Sequence, residues 1–389
     1  MRLLYITDYT EQFAFRLLKG IQRYSQDSGK HWVVCRMPAH YLRQQGVEDV
    51  ATWAVQWRAD VVIGQFEPGD PVELFREKGM VVMAQDYIRP FLQIPNITAD
   101  YEKMGRMAAD RFMSRGFKNF AFFGNNGMCW SDRRQKGFKN RLEEAGFKNS
   151  IYVYDRPRVE NLWYYNQSLL SNWLSSLPKP VAIMACDDNQ GSILLEACSL
   201  LGFRVPFDVA VIGVDNDPIL CVMSDPALSS IDVDIETGGY QAAAMAERMA
   251  RDPSFAGEDI VLQPLSVVSR MSSNVFATTD TAIHAALLFI NENVERKILV
   301  SDVLEHVPLS RRLLEQRFLK ETGLTIYQYI TKLRMERFAQ LLLSSKDSIS
   351  VIAARLNEPD TKSISRRFQA IKGCTPSEYR MRYLRKLGG

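Results

Sequence analysis

Residues 310–329, SRRLLEQRFLKETGLTIYQY, and residues 360–379, DTKSISRRFQAIKGCTPSEY, carry one pattern twice. Phe318 and Phe368 are each preceded by an arginine (Arg317, Arg367) and, one helical turn earlier, by an aliphatic residue (Leu314, Ile364). A glycine follows in both (Gly323, Gly373), then a threonine (Thr325, Thr375) and a tyrosine (Tyr329, Tyr379). Upstream, Asp302-Val303 aligns with Ile352-Ala353. Repetition of this kind predicts a duplicated supersecondary unit.

Each copy reads as a short helix, a turn and a second helix. The first runs from Ser301 to Val307, breaks at Pro308, and resumes as a helix capped by Ser310 that ends near Thr322. The second has a helix from Ser350 to Leu356, a turn at Asn357–Asp360 with Asn357 suited to a left-handed conformation, and a helix from Thr361 to Lys372. The pairs Leu314/Phe318 and Ile364/Phe368, one turn apart, face a core. The opposite faces then present Arg311, Arg312, Glu315 and Gln316 in one copy, and Lys362, Ser365, Arg366 and Gln369 in the other. Such side chains suit phosphates and major-groove base edges. Between the units, residues 326–343 predict one helix of roughly 27 Å, a stiff spacer comparable to a DNA turn of ~34 Å.

Charge agrees with a polyanion partner for this part alone. From Val275 onward there are 19 Lys and Arg against 12 Asp and Glu, a net of +7, and the rest of the 389-residue chain carries −4. The length suits two or three domains. No run of apolar residues approaches the ~18 that span a membrane, and no basic segment precedes an apolar one at the start. A cytoplasmic protein with no membrane contact is expected. The six cysteines are scattered, without metal-ligand spacing to the four histidines, so reduced thiols and no metal are expected.

The first 270 or so residues have a different grammar. Short apolar runs at 3–7, 61–65, 81–85, 120–124, 182–186 and 210–214 read as strands buried on both faces. They alternate with helical stretches at 14–26, 103–115, 135–145, 192–201 and 239–250. This predicts a doubly wound α/β domain with parallel sheets over 1–272, followed by an all-α tandem helix-turn-helix domain over 280–389. The Ser/Thr/Asn-rich stretch Met271–Thr279 between them is short enough to serve as a hinge.

Several strands end in polar clusters: Asp8-Tyr9-Thr10, Gln85-Asp86-Tyr87, Asn125-Asn126, Asp187-Asp188-Asn189 and Asp215-Asn216-Asp217. Ligands of open α/β sheets sit outside the carboxyl ends of the strands. Carboxylates and amides gathered there match vicinal hydroxyls, and Tyr9, Phe13, Tyr87, Trp130 and Trp163 offer faces for a sugar ring. Arg134 offers a fork of donors. Any one of these aspartates is also a ready helix cap or turn former.

Two resemblances follow from these residues. The segment 280–382, through LSRRLLEQRFLKETGLTIYQYI, KLRMERFAQLLL and RRFQAIKGCTPSEYR, resembles the DNA-binding domain of the AraC/XylS transcription regulators. That resemblance implies base contacts from Arg312, Glu315 and Gln316 in the first unit and Thr361, Lys362, Ser365 and Arg366 in the second, with Arg311 beside them. The chain departs from the family at Asn357, usually glycine, and at Ile364, where an aromatic is common; Glu358 and Asp360 add acidity beside the second recognition helix.

Residues 181–245, through VAIMACDDN, GFRVPFDVAVIGVDND, ALSSIDVD and GGYQAAAMA, resemble the sensor core of LacI-type regulators and periplasmic binding proteins. The likeness is looser before residue 100. It implies two lobes with a ligand between them, contacted by Arg134, Asp187 and Asp215, and by Asp8 and Tyr9 from the first lobe. Trp130 and Asn216 complete the candidate set.

Together these features predict a DNA-binding transcription regulator, an activator, of a sugar-utilisation operon. Its expected partners are double-stranded DNA, a monosaccharide, a second copy of the chain and RNA polymerase; no cofactor and no catalytic residue are expected. Against an enzyme stand the lack of G-x-G-x-x-G, P-loop and G-x-S-x-G motifs. Two alternatives remain at this level: a first domain that only dimerises or binds a non-sugar ligand, and a sugar-processing enzyme that uses the paired acids.

Overall fold

A computed structural model describes residues 1–7, 12–86, 88–154, 167–278, 280–345, 347–358 and 360–381 of the chain. Strands β1 (Arg2–Thr7), β2 (Val33–Pro38), β3 (Val61–Gly64), β4 (Val81–Gln85) and β5 (Asn96–Ala99) build the first lobe. Their connections hold α1 (Gln12–Asp27), α2 (Ala39–Gln45), α3 (Val47–Gln56) and α4 (Glu73–Glu77). Helix α5 (Tyr101–Met113) carries the chain to the second lobe. There β6 (Asn119–Phe123), α6 (Cys129–Glu144), β7 (Ile151–Val153), α7 (Gln167–Ser176), β8 (Val181–Ala185), α8 (Asp188–Leu200), β9 (Val209–Val214), α9 (Pro218–Met223) and β10 (Ser229–Val233) follow in turn. Helix α10 (Ile235–Arg251) returns to the first sheet as β11 (Ile260–Leu262), and β12 (Pro264–Val268) closes the second.

The sheets have the orders β11-β5-β4-β3-β1-β2 and β12-β10-β9-β8-β6-β7. Every pairing is parallel except β12 against β10. The expected two-lobed, doubly wound α/β architecture is therefore present. The six expected strands all form, with ends within a residue or so of expectation. Strands β3, β8 and β9 are buried at every position, so their sequences carry no polar alternation. The remaining six had weaker patterns. Strand β2 is a sheet edge with Val33 and Val34 exposed, and β5 (NITA) and β10 (SSIDV) are short and half polar.

The chain crosses between lobes at Asp100, Asp234 and Gln263. These crossings bind one another: Asp100 N donates to Leu262 O and Asp234 N to Gln263 O, both at 3.0 Å. The Asp100 and Asp234 carboxylates cap α5 and α10, so each crossing strand turns directly into a helix. Beside the crossings, helices meet through reciprocal glycines. A Cβ on Gly105 would lie 2.2 Å from Arg134 O, and one on Gly137 2.1 Å from Glu102 O. Gly20 and Gly239 play the same part between α1 and α10.

The C-terminal part is helical: α11 (Thr281–Glu292), α12 (Val300–Glu305), α13 (Arg311–Thr322), α14 (Ile326–Ser344), α15 (Ile349–Arg355) and α16 (Thr361–Lys372). Gly323 and Gly373 end α13 and α16 with φ of 70° and 71°, and Asn357 takes φ 52° in the second turn, so the duplicated punctuation is real. Leu314, Phe318, Ile364 and Phe368 are fully buried, as their spacing required. One detail differs. Ser310 occupies the N-cap position of α13 but its hydroxyl makes no capping bond, whereas Thr325, Ser348 and Asp360 cap α14, α15 and α16.

Helix α14 divides its face between the two units. Ile326, Tyr329, Ile330 and Leu333 share a core with Leu314 and Phe318; Met335, Phe338, Ala339 and Leu342 share another with Ile364 and Phe368. Arg334 sits at the division. Its buried guanidinium donates to the carbonyls of Val294 and Arg296 on one side and Leu356 on the other, and pairs with Glu358 at 3.1 Å.

The junction, read as a hinge from its short length, is packed against the second lobe. Met271–Ser273 form a single 3-10 turn, and Ser272, Ser273, Asn274 and Val275 are buried. Ser272 N donates to Ala227 O, Ser272 Oγ to Val211 O, and Ala277 N to Arg115 O. Serines and asparagine serve here as hydrogen-bonding staples rather than as solvated linker. Among the described residues no helix is long and apolar enough to cross a membrane, and all six cysteines are free thiols.

The glycine contacts make a stability prediction. Gly137→Ala places a methyl group against the Glu102 carbonyl and should cost about 1–3 kcal/mol as an overpacking substitution. A lowered urea midpoint for the sensor transition checks it; an unchanged midpoint means the helices separate freely.

Candidate functional site

Between the lobes lies a partly enclosed cleft lined by side chains of both. The first lobe supplies Gln12 and Phe13 from α1, Gln65 beyond β3, and Gln85 and Asp86 at the end of β4. The second supplies Trp130 and Arg134 from α6, Asp187 beyond β8, and Asp215 and Asp217 beyond β9. Tyr101, the first residue after a crossing, forms the back wall. All the strand-end residues come from carboxyl ends, where parallel sheets leave outward-facing loops.

Arg134 organises the second-lobe side. It is 4 % exposed, donates to Cys186 O, pairs with Asp215 Oδ1 at 3.2 Å, and lies 5.3 and 5.5 Å from the rings of Tyr101 and Trp130. Burial alone disfavours its charge, but Asp215 and the neighbouring Tyr101, Cys186 and Asp187 outweigh that and hold its pKa above the ordinary value. Its Nε has no partner among the described residues.

The carboxylates are under the opposite pressure. Asp86 is 5 % exposed, and neither of its oxygens reaches full hydrogen-bond geometry with a partner among the described residues. Burial raises its pKa even though the Thr98 and Tyr101 hydroxyls favour the ionised form. Asp187 has a raised pKa from burial as well, offset in part by Gln190 N, which donates to it at 2.7 Å. Asp187 is thus both the N-cap of α8 and a wall of the cleft. Asp188 is buried behind it, holding Asp217 N at 2.7 Å and Cys221 Sγ at 3.4 Å, with its pKa well up through desolvation.

Of the residues expected to bind ligand, Trp130, Arg134, Asp187 and Asp215 converge here. Asp8, Tyr9, Tyr87 and Trp163 lie outside the described residues. Asn216 is a correction: it does not line the cleft. Asp215 and Asn216 take φ of 94° and 51°, which turns the Asn216 amide away to accept from Arg270 Nη2 at 2.7 Å. Asp217 comes back to the cleft in its place. The Asp217-Pro218 pair, a helix cap before a first-turn proline, was the signal for this.

Asp86 stood in one of the strand-end polar clusters, whereas sequence reasoning did not select Gln12, Gln65, Tyr101 or Arg16. Arg16 reaches from α1 across the lobes to Asp215 O at 2.9 Å, Asp232 Oδ1 at 3.1 Å and Val233 O at 2.8 Å. A partner some 200 residues away leaves no local trace.

On the reader, Arg311, Arg312, Glu315 and Gln316 are exposed along α13, as are Lys362 and Arg366 along α16; Thr361 and Ser365 are half-buried. Arg311 is tied to Glu315 at 3.0 Å. No protein partner engages the charged groups of Arg312, Lys362 or Arg366 among the described residues. The acidity beside α16 is neutralised, because Glu358 pairs with Arg334 and Arg367 and Asp360 caps the helix.

Comparison with known proteins agrees with both halves. Residues 109–273 match a periplasmic binding protein-like domain and residues 303–382 a helix-turn-helix domain. A sensor of the first kind joined to a helix-turn-helix reader makes this chain a DNA-binding transcription regulator. Along nearly its whole length it is similar to the xylose operon regulatory proteins. It is 27 % identical to that of Escherichia coli K12, covering 94 % of this chain and 93 % of that protein. It is 28 % identical to that of Haemophilus influenzae Rd, covering 94 % of each. The solved xylose-binding transcription activator xylR superposes with a TM-score of 0.71 at 26 % identity, covering 97 % of both chains.

Asp86 gives a prediction with a definite sign. Its raised folded-state pKa means the folded form holds the proton more tightly than the unfolded form. Ligand-free stability therefore falls as pH climbs from the ordinary carboxylate range through the raised value. Asp86→Asn should melt about 2–4 °C above the natural protein at pH 8, with the margin closing near pH 4. Equal melting at both pH values would show that the carboxylate is solvated.

Proposed function

We propose that a monosaccharide bound between the lobes switches this regulator, which acts as an activator of a sugar-utilisation operon. The observation that supports this is the cleft itself. Buried acceptors and donors from both lobes lie unpaired or half-paired around aromatic faces, the arrangement that vicinal hydroxyls on an apolar ring complete. A neutral polyol suits it better than an anion, which would meet Asp86, Asp187, Asp215 and Asp217 against one compensated arginine. D-xylose is the first candidate, since the similar proteins are named for it. In this reading Trp130 stacks on the ring, Arg134, Asp187 and Asp215 bind hydroxyls, and Asp8 and Tyr9 contribute by their position in sequence after β1.

Sensor and reader are assigned to 1–272 and 280–389. The reader lays α13 and α16 into successive major grooves, with Arg312, Glu315, Gln316, Thr361, Lys362, Ser365 and Arg366 at base edges and Arg311 beside them. The regulator works in the cytoplasm as a homodimer and contacts RNA polymerase at the promoter. The sugar bridges the lobes and shifts the population toward the closed state.

A thermal-shift panel of monosaccharides tests the effector. A sugar that binds only the folded protein stabilises it by about 2.7 kcal/mol at 100 times its Kd. No shift with any pentose or hexose rejects the reading. For DNA, Arg312→Ala should relax preference at one base pair at a cost of about 1–3 kcal/mol, leaving the salt slope nearly unchanged. A uniform loss on all duplexes would make Arg312 a phosphate contact instead.

A further inference from the structure

Helix α9 and the loop before it belong to two sites at once. On one side Asp215, Asp217 and Leu220 line the effector cleft. On the other, Val222 lines a small crevice between the second lobe and the reader, together with Ala339, Gln340 and Leu343 of α14. The helix has only six residues, so a displacement at its start is felt at its end.

Its mounting is stiff. Asp217 caps its own helix, accepting from Ile219 N at 2.7 Å and Leu220 N at 3.0 Å. The buried Asp188 grips the same turn through Asp217 N and Cys221 Sγ. Leu228 N donates to Cys221 O and Ser224 Oγ to Leu220 O, which fixes the exit.

A second path runs in parallel through Asn216. Its amide oxygen holds Arg270 Nη2, while Arg270 Nη1 donates to Leu228 O. Arg270 lines the same crevice as Val222. The residues flanking Asn216 therefore touch the effector cleft, and Asn216 itself holds an arginine against the reader.

We infer that the Asp215–Met223 segment is the coupling element through which cleft occupancy repositions α14, with Val222 and Asn216 as positioning residues. Carboxylates that meet hydroxyls at Asp215 and Asp217 move a body whose far end is packed against the helix joining both recognition units. The inference rests on a sugar effector for the cleft, and the test separates the two.

Full-length Val222→Ala and Asn216→Ala are compared with the natural protein. D-xylose affinity is read by calorimetry, and affinity for an operator selected from random duplexes is read with and without saturating D-xylose. A coupling of ordinary size changes DNA affinity about 5–150-fold. Each variant should keep its D-xylose Kd within about threefold and lose most of that ratio. Sugar-free hydrogen exchange should quicken at residues 339–343 in both variants, a readout that needs no effector. Full coupling and unchanged exchange in both variants would overturn the proposal. A natural protein whose DNA affinity ignores D-xylose rejects the xylose assignment, and the exchange arm alone then decides the coupling element.

Discussion

The cleft depends on one buried guanidinium. Arg134 is removed from water in a wall that also holds Asp187 and Asp215, and its pairing with Asp215 is what permits carboxylates to gather there. Leaving a buried charge without its partner costs on the order of 3–5 kcal/mol. The protein meets most of that cost with backbone groups: Cys186 O for the arginine and Gln190 N for Asp187. It leaves a remainder in Asp86, helped only by the Thr98 and Tyr101 hydroxyls, and in the Arg134 Nε, which has no partner among the described residues.

The reader contains the contrasting case. Arg334 is as buried as Arg134, yet its donors are occupied by carbonyls from both helix-turn-helix units and by Glu358. Burial lowers its pKa, opposed by Glu358. The arginine ties the two cores that share α14, and so holds α13 and α16 in one rigid relation. A rigid separation is what a duplex with a fixed helical repeat requires of two recognition helices.

Between these arginines the chain offers little slack. The stapled turn at Met271–Ser273 and the Arg115–Phe276 contact, 4.2 Å from guanidinium to ring, hold the reader against the second lobe. Arg115 is buried there, which brings its pKa down to about 10. A sensor fastened in this way transmits the movement of one lobe as the movement of a body. The two lobes themselves are joined by the three crossings of Asp100, Asp234 and Gln263, which hydrogen-bond to one another.

Local patterns in the sequence determined the architecture: apolar runs gave the buried strands, one-turn pairs such as Leu314/Phe318 gave the recognition helices, and the left-handed glycines gave their ends. Those features act between near neighbours, so a linear reading finds them. The site was legible where a strand end carried an evident polar cluster, as at Asp187 and Asp215, and was misread at Asn216, where two positive φ angles reverse the side chain. Arg16, Tyr101 and Arg334 were silent because their partners lie far away along the chain. Only the tertiary structure decided which buried charges are paired, which are left for a guest, and that the junction is a staple, since desolvation depends on what surrounds a group in space and not on what precedes it in sequence.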